Sequence, residues 1–375
     1  MNILVAIDSF KGSATSEEMN LAIADGIKEI DAQTTIQSYS VADGGEGTLA
    51  AFYENRRGEC LTIDTIDLFQ RRITAKYVLV DSHTVVVEVA EAAGIHQLDT
   101  HLDTKNASSY GFGKMILAIL KKHPLVDKCI VGLGGSGIND AGIGMMQAFG
   151  VSFKNKNNKE IVPGVSEIAD ILTISTHDLD TSILKIEFIL LSDVSNPLTG
   201  PTGATHMFGN QKGVADLVTI DLAIAHYARI VCESTRTNYA LLPSTGASGG
   251  IGFSFVSFLN SHFVSGANFI IDMLHLSEHI QSADFVITGE GKMDAQSAYG
   301  KLPTVIAKLA KSQHKKVIAV VGDASEVNTA NYESGFDLIL NLTRGPMSLN
   351  DSMRQTQRLA KETGRDIMRI VHLAK

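Results

Sequence analysis

The stretch "NILVAIDSFKGSATSEE", residues 2–18, carries three signals in succession. Residues 2–7, "NILVAI", read as a β-strand. Asp8 ends the apolar run, and "DSFKGS" (8–13) is a polar turn with a glycine in it. Thr15 and Glu18 then form a capping box, which opens a helix running to about Ile30. Strand, polar loop and helix in that order are the unit of an α/β fold with a largely parallel sheet.

The unit recurs outward from there. "TTIQSYSVA" (34–42), "KCIVGLG" (128–134), "KIEFILLSDV" (185–194), "DFVITGEG" (284–291), "KVIAVVGDA" (316–324) and "FDLILNLT" (336–343) follow the same plan. The middle differs: "CLTIDTID" (60–67), "RRITAKYVLVD" (71–81) and "TVVVEVAEAAG" (84–94) read as antiparallel strands. The expected architecture is two α/β domains. A flavodoxin- or Rossmann-like domain is formed by both chain ends, residues 1–75 plus 276–375, and a second α/β domain, residues 76–275, is inserted. The active site is expected in the cleft between them.

Composition narrows the function. The chain has 375 residues, of which 44% are hydrophobic and 19% charged, the balance of a soluble globular protein. A net charge of −9 with no Lys/Arg cluster argues against a nucleic-acid surface. Cys60, Cys129 and Cys232 are far apart, form no C-x-x-C pair and read as reduced thiols. The N-terminus has no basic leader and reads as a strand, so neither signal nor transit peptide is expected and the setting is cytoplasmic. Residues 237–271 lack Asp, Glu, Lys and Arg, yet Pro243, Asn260, His262 and several glycines interrupt them. No membrane span is expected there.

In open α/β sheets, ligands sit beyond the carboxyl ends of the strands. At that edge the sequence is expected to concentrate six polar, mostly glycine-rich loops: "DSFKGS" (8–13), "DGGEGT" (43–48), "GGSGIND" (134–140), "SDVSNPLTG" (192–200), "STGASGG" (244–250) and "TGEGKMD" (288–294). Loops 8–13, 43–48 and 288–294 are assigned to the terminal domain; those at 134–140, 193–213 and 246–250 belong to the insert.

Several motifs match patterns without their context. Gly132 to Gly137 satisfies G-x-G-x-x-G, but no acid follows about 20 residues on, where a nicotinamide dinucleotide would need one. Gly246 to Gly250 matches G-x-S-x-G after a proline-containing turn rather than a strand. His275, Glu278 and His279 match H-x-x-E-H without a third zinc ligand. "YGKLP" (299–303) lacks the first glycine and the hydroxyl of a P-loop.

What fits the loops is phosphoryl transfer, which needs positioning, a carboxylate-held Mg²⁺, backbone amides and a cation on the phosphates. Gly44-Gly45, Gly134-Gly135 and Gly249-Gly250 supply amides. Carboxylates come from Asp8, Asp43, Glu46, Asp193, Glu290 and Asp294, and cations from Lys11, Lys212, Lys292 and Lys301.

The strings "IDSFKGS", "VADGGEGT", "SYGFG", "GLGGSGINDAG", "SDVSNPLTGPTGA", "MFGNQKG", "GASGG" and "TGEGKMDAQS…GK", in this order, resemble the glycerate kinase type 1 family, the bacterial glycerate 2-kinases, over essentially the whole chain. Departures from the family pattern are Ile7 for a proline, Ala141 for the first of two glycines, and "STGASGG" for a loop like "GAGAAGG". The resemblance implies ATP-dependent phosphorylation of D-glycerate, usually at the 2-hydroxyl, on a discontinuous two-domain α/β fold.

Under that reading Asp8 or Asp193 is the base, and Lys11 is the cation at the glycerate carboxylate or the moving phosphoryl group. Substrate and phosphate contacts are assigned to Ser9, Gly44, Gly45, Gly134, Gly135, Ser136, Asn139, Asp140, Lys212, Thr288, Gly289 and Lys301. Asp43, Glu46, Glu290 and Asp294 are assigned to Mg²⁺. Expected partners are ATP and D-glycerate, with no nucleic acid and no membrane; the sequence is silent on oligomeric state. The rivals are a kinase of another small hydroxy acid or sugar acid, and a non-catalytic nucleotide or metabolite sensor.

Overall fold

The computed structural model describes residues 1–98, 104–293 and 300–373. Its strands, in chain order, begin with β1 (Asn2–Ile7), β2 (Thr35–Ser38), β3 (Glu59–Ile66), β4 (Arg72–Leu79) and β5 (Thr84–Glu88). Then come β6 (Lys128–Gly132), β7 (Ser152–Lys154), β8 (Thr173–Ser175), β9 (Glu187–Leu191) and β10 (Ser261–Val264). β11 (Phe285–Lys292), β12 (Lys316–Asp323) and β13 (Leu338–Asn341) complete the set.

The chain divides into two compact units. The first comprises Met1–Asp43, Ala50–Arg56 and Ser265–Lys375. Its five-stranded sheet runs β13-β12-β11-β1-β2, with every pair parallel. Residues 3–7 of β1 are all buried, as the continuous apolar run of a parallel strand requires. The capping box forms as read: Thr15 Oγ1 accepts the Glu18 N–H at 3.2 Å and Glu18 Oε2 accepts the Thr15 N–H at 2.8 Å. The helix it opens, Ser16–Ile30, buries Met19, Ile23 and Ile27, four residues apart and so on one face.

That helix also packs on the helix Thr356–Leu373. A Cβ on Gly26 would lie 2.0 Å from the Lys361 carbonyl oxygen, and one on Gly364 would lie 2.3 Å from that of Ile23. Only glycine permits so close a crossing.

The second unit comprises Gly44–Leu49 and Arg57–Val264. Its six-stranded sheet runs β10-β9-β6-β5-β4-β3. β5, β6, β9 and β10 are mutually parallel, while β4 and β3 continue the sheet antiparallel, so the meander in the middle of the chain forms. β7 and β8 make a separate two-stranded sheet. Tyr77, Phe112, Phe188, Tyr227 and Phe255 are among its buried core side chains.

The crossing points differ from residues 75 and 275. β3 pairs with β4 along all its length, from Glu59↔Leu79 to Ile66↔Arg72, so the hairpin stays whole and the chain enters the second unit at Arg57. It leaves after Val264, where β10 ends beside β9. The loop "DGGEGT" is itself divided: Asp43 belongs to the first unit and Gly44–Leu49 to the second. Residues 288–292 are also not loop. β11 continues through Lys292 because its pairing with β12 extends to Lys292↔Asp323.

Candidate active site

Because β1, β11, β12 and β13 are parallel, their carboxyl ends share one edge of the first unit's sheet. A cavity of about 600 Å³ lies there, with Asp8, Ser9, Lys11, Asp43, Glu290 and Lys301 among its lining residues. Asp8 directly follows β1. Its backbone N–H donates to the Gly289 carbonyl at 2.9 Å, and its Oδ1 accepts the Ser9 N–H at 2.7 Å. Burial, then the nearby Asp43 charge, holds the Asp8 carboxyl well above the usual range; the Ser9 N–H and Lys11 pull the other way. Lys11 is exposed, in a tight turn where the Ser13 and Ala14 N–H groups both donate to the Phe10 carbonyl. Glu290, only 7% exposed on β11, receives Lys301 Nζ at 3.0 Å.

Thr288 and Gly289 serve the sheet rather than a ligand. Thr288 is fully buried and its hydroxyl donates to the Ala6 carbonyl at 2.7 Å. Asp294 lies outside the described residues. Among the described residues, no cluster of three or more His, Cys, Asp and Glu side chains is placed to hold a metal unaided. Asp8, Asp43 and Glu290 nevertheless offer oxygen donors to one cavity. That set suits Mg²⁺, which typically takes one or two carboxylates and completes its shell with water and substrate phosphates.

In the second unit the glycine loops pack on each other. Leu133 donates its N–H to the Gly44 carbonyl at 3.1 Å, and a Cβ on Gly134 would lie 2.4 Å from the Gly45 Cα. Glu88, buried at the end of β5, accepts the Leu49 N–H at 2.7 Å; burial pushes its carboxyl up to about 8. Gly135 has a left-handed backbone and Ser136 is buried. Glu46 is exposed, and so is Asp193, two residues past β9.

Three residues read as ligand contacts turn inward instead. Asp140 is fully buried. Its Oδ2 accepts the Ser109 N–H and hydroxyl at 2.8 Å each, the Gly144 N–H at 3.2 Å and the Ser108 hydroxyl at 3.3 Å. Its Oδ1 accepts the Gly142 N–H at 3.1 Å. Asn139 donates to Thr205 Oγ1 at 2.9 Å. Lys212, 4% exposed, donates to Ser136 Oγ at 3.0 Å and the Ile138 carbonyl at 2.8 Å.

The family model for the glycerate kinases matches residues 3–372. The chain belongs to the glycerate kinase family. It is therefore an enzyme, and a kinase. Glycerate kinase of Bacillus subtilis is 32% identical over 381 residues, covering 100% of this chain and 99% of that one. Glycerate 2-kinase of Escherichia coli is 32% identical over 358 residues, covering 94% and 93%. The crystal structure of a candidate glycerate kinase 2 from Salmonella typhimurium LT2 aligns with a TM-score of 0.83 at 30% identity, covering 100% and 99%.

Against the glycerate kinase pattern, Ala141 stands out. It holds φ +53° with its N–H donated to the Gly249 carbonyl at 2.9 Å, a conformation glycine adopts without the strain that a Cβ brings. The H-x-x-E-H match finds no zinc site: His275 is the left-handed N-cap of the helix Leu276–Ser282, and among the described residues no third ligand joins it and His279. The ring of His279 lies 4.8 Å from that of Tyr39. Asp323, Leu349 and Met353 also line the cavity and were not singled out from sequence. For Asp323 the signal existed, an acid ending the strand "KVIAVVGDA".

Lys212 yields a pH prediction. Burial lowers its amine to about 7, with Asp140 opposing, against about 10.4 in an unfolded chain. Between those values the unfolded state binds more protons, so this group makes stability rise with pH across roughly 7 to 10.4 and contributes no slope below the lower value. Melting temperatures of the intact chain and Lys212→Met, compared from pH 7 to about 10, should differ by that slope. Parallel curves would mean the amine is charged and solvated.

Proposed function

We propose that the chain transfers the γ-phosphoryl group of ATP to D-glycerate, with Mg²⁺, and that the 2-hydroxyl is the acceptor. The observation that carries this reading is Asp8: a strand-end carboxylate with a raised pKa, beside Lys11, in the cavity at the sheet edge of a glycerate kinase family member. A carboxylate whose pKa has moved toward working pH is a better general base than an ordinary one.

In this reading Asp8 accepts the glycerate hydroxyl proton as the hydroxyl oxygen bonds to the γ-phosphorus. The bond from the γ-phosphorus to the bridging oxygen breaks, and ADP leaves with that oxygen. Lys11, with its exposed side chain, meets the glycerate carboxylate or the moving phosphoryl group, and Lys301 adds positive charge beside Glu290. Asp43 and Glu290 would hold Mg²⁺, which when bound neutralises phosphate charge. Asp8 is taken over Asp193 because Asp8 lines the strand-edge cavity beside Lys11, whereas Asp193 is exposed. In the second unit, Gly44, Gly45, Gly134, Gly135 and Ser136 are the substrate or phosphate contacts of this reading, and Lys212 holds Ser136 through its hydroxyl. The family relationship supports the cytoplasm as the setting.

The 2-hydroxyl is favoured because a clamped carboxylate fixes the neighbouring carbon, whereas the 3-hydroxyl swings on one more rotatable bond. The test mixes the protein with ATP, Mg²⁺ and D-glycerate, follows ADP, and couples the product to enolase. Phosphoenolpyruvate formed at once is the expected result. Formation only after phosphoglycerate mutase is added would shift the acceptor to the 3-hydroxyl. ADP release with another hydroxy acid alone would change the substrate, and none with any acceptor would favour a sensor.

A further inference from the structure

The cavity in the first unit has both a charged and an apolar lining. Asp8, Lys11, Asp43, Glu290, Lys301 and Asp323 supply charge, while Phe10, Leu342, Leu349 and Met353 supply apolar surface. The sheet order sets Asp8 and Leu342 apart. Asp8 follows β1 and Leu342 follows β13, three strands away in β13-β12-β11-β1, a step of about 14 Å in all.

Part of the apolar lining comes from a helix that has no other use for its apolar side chains. Leu349 and Met353 are four residues apart on the helix Leu349–Arg354, and therefore on one face. No residue of this helix is buried, and Leu349 is 77% exposed. The helix is held by its cap: Ser348 Oγ accepts the Asp351 N–H at 3.1 Å. Its apolar face is thus turned to the cavity rather than committed to a core. The methyl end of Met353 reaches to 3.1 Å from where a Cβ on Gly12 would stand, next to the turn that carries Lys11.

D-glycerate cannot use such a surface, since each of its three carbons bears oxygen. The phosphates cannot either. In a reaction between a nucleoside triphosphate and glycerate, the base is the one broad apolar ligand surface. Ligand sites commonly pair an apolar lining with a few placed polar groups, and that is the division here.

We propose that Leu349 and Met353 form the seat of the nucleotide base, with Phe10 and Leu342 opposite, so that the phosphates extend along the strand ends toward Lys301, Lys11 and Asp8. This rests on the reading of the cavity as a nucleotide site and adds which residues take which part.

Calorimetry of MgADP and of Mg-tripolyphosphate, which has phosphates and no base, tests it. Leu349→Ala/Met353→Ala should raise the Kd for ADP at least about tenfold through lost apolar contact. Tripolyphosphate Kd should stay within about twofold, because its contacts are untouched. Leu349→Ser alone, at a position too exposed to support a core, should move ADP in the same direction. ADP affinity unchanged in both variants overturns the seat while leaving the nucleotide site standing. Equal loss of ADP and tripolyphosphate also overturns it, by showing a general distortion. Failure of the intact chain to bind ADP overturns the nucleotide reading itself.

Discussion

Asp8→Asn lowers kcat for glycerate phosphorylation by about a thousandfold, within the range that a positioned base contributes. The substitution keeps an oxygen for the Ser9 N–H, so the turn holds and ADP affinity stays near its original value. The loss is therefore in turnover rather than in binding. A pH profile gives a second readout with a defined sign. Asp8 acts only when ionised, so kcat/KM falls as pH drops through its raised pKa, above the ordinary carboxylate value near 3.9. Burial is the first cause of the rise and Asp43 the next, so Asp43→Asn should move that limb to lower pH. Asp8→Asn retaining more than about a tenth of kcat would exclude it as base and turn attention to Asp193.

The second large effect falls on stability. Asp140→Ala removes the acceptor of three backbone N–H groups and of the Ser108 and Ser109 hydroxyls, all in a fully buried setting. Stranding that many donors costs about 3–5 kcal/mol. In a unit of roughly 200 residues this corresponds to a fall in Tm on the order of 10 °C. Asp140→Asn, which keeps one acceptor oxygen but turns a second donor toward the N–H groups, should fall between. Turnover per folded molecule should survive both. A normal Tm with lost glycerate affinity would instead make Asp140 a ligand contact.

These two aspartates also show what the sequence discloses. Asp8 is legible because it ends an apolar run, and a strand end is where an α/β sheet presents chemistry. Its neighbours in the cavity follow the same rule: Glu290 lies on β11 and Asp43 ends the first segment of the unit. Asp140 obeys the rule equally well on paper, in "GGSGIND" after β6. What reverses its role is Ser108 and Ser109, some 30 positions earlier, which take up its carboxylate. A loop's outward appearance carries no record of a partner that distant.

The boundary at 57 was hidden for a similar reason. The alternation in "CLTIDTID" suits an edge strand of either sheet, and only pairing with β4 decides which. The base seat was out of reach because Leu349 and Met353 resemble any pair of apolar residues on a short helix. Their meaning comes from being left uncovered. By contrast, the capping box at Thr15 and Glu18 is a contact over three residues, and it appears in the structure as read.

The placement of β1 between β2 and β11 sets an order on synthesis at the ribosome. Ala6 of β1 meets Thr288 of β11 across 282 positions. At translation speeds of about 5–20 residues per second, that partner emerges roughly 15 s to a minute after β1. The helix Ser16–Ile30 waits longer still, since Gly26 and Ile23 nest against the helix Thr356–Leu373, which follows β11. Residues 57–264 are all out before β11 begins, so the second unit is free to mature while the β11-facing edge of β1 remains unpaired. The edge of β1 that pairs with β11 is thus among the last to find its neighbour, and it is a segment a nascent-chain chaperone would meet.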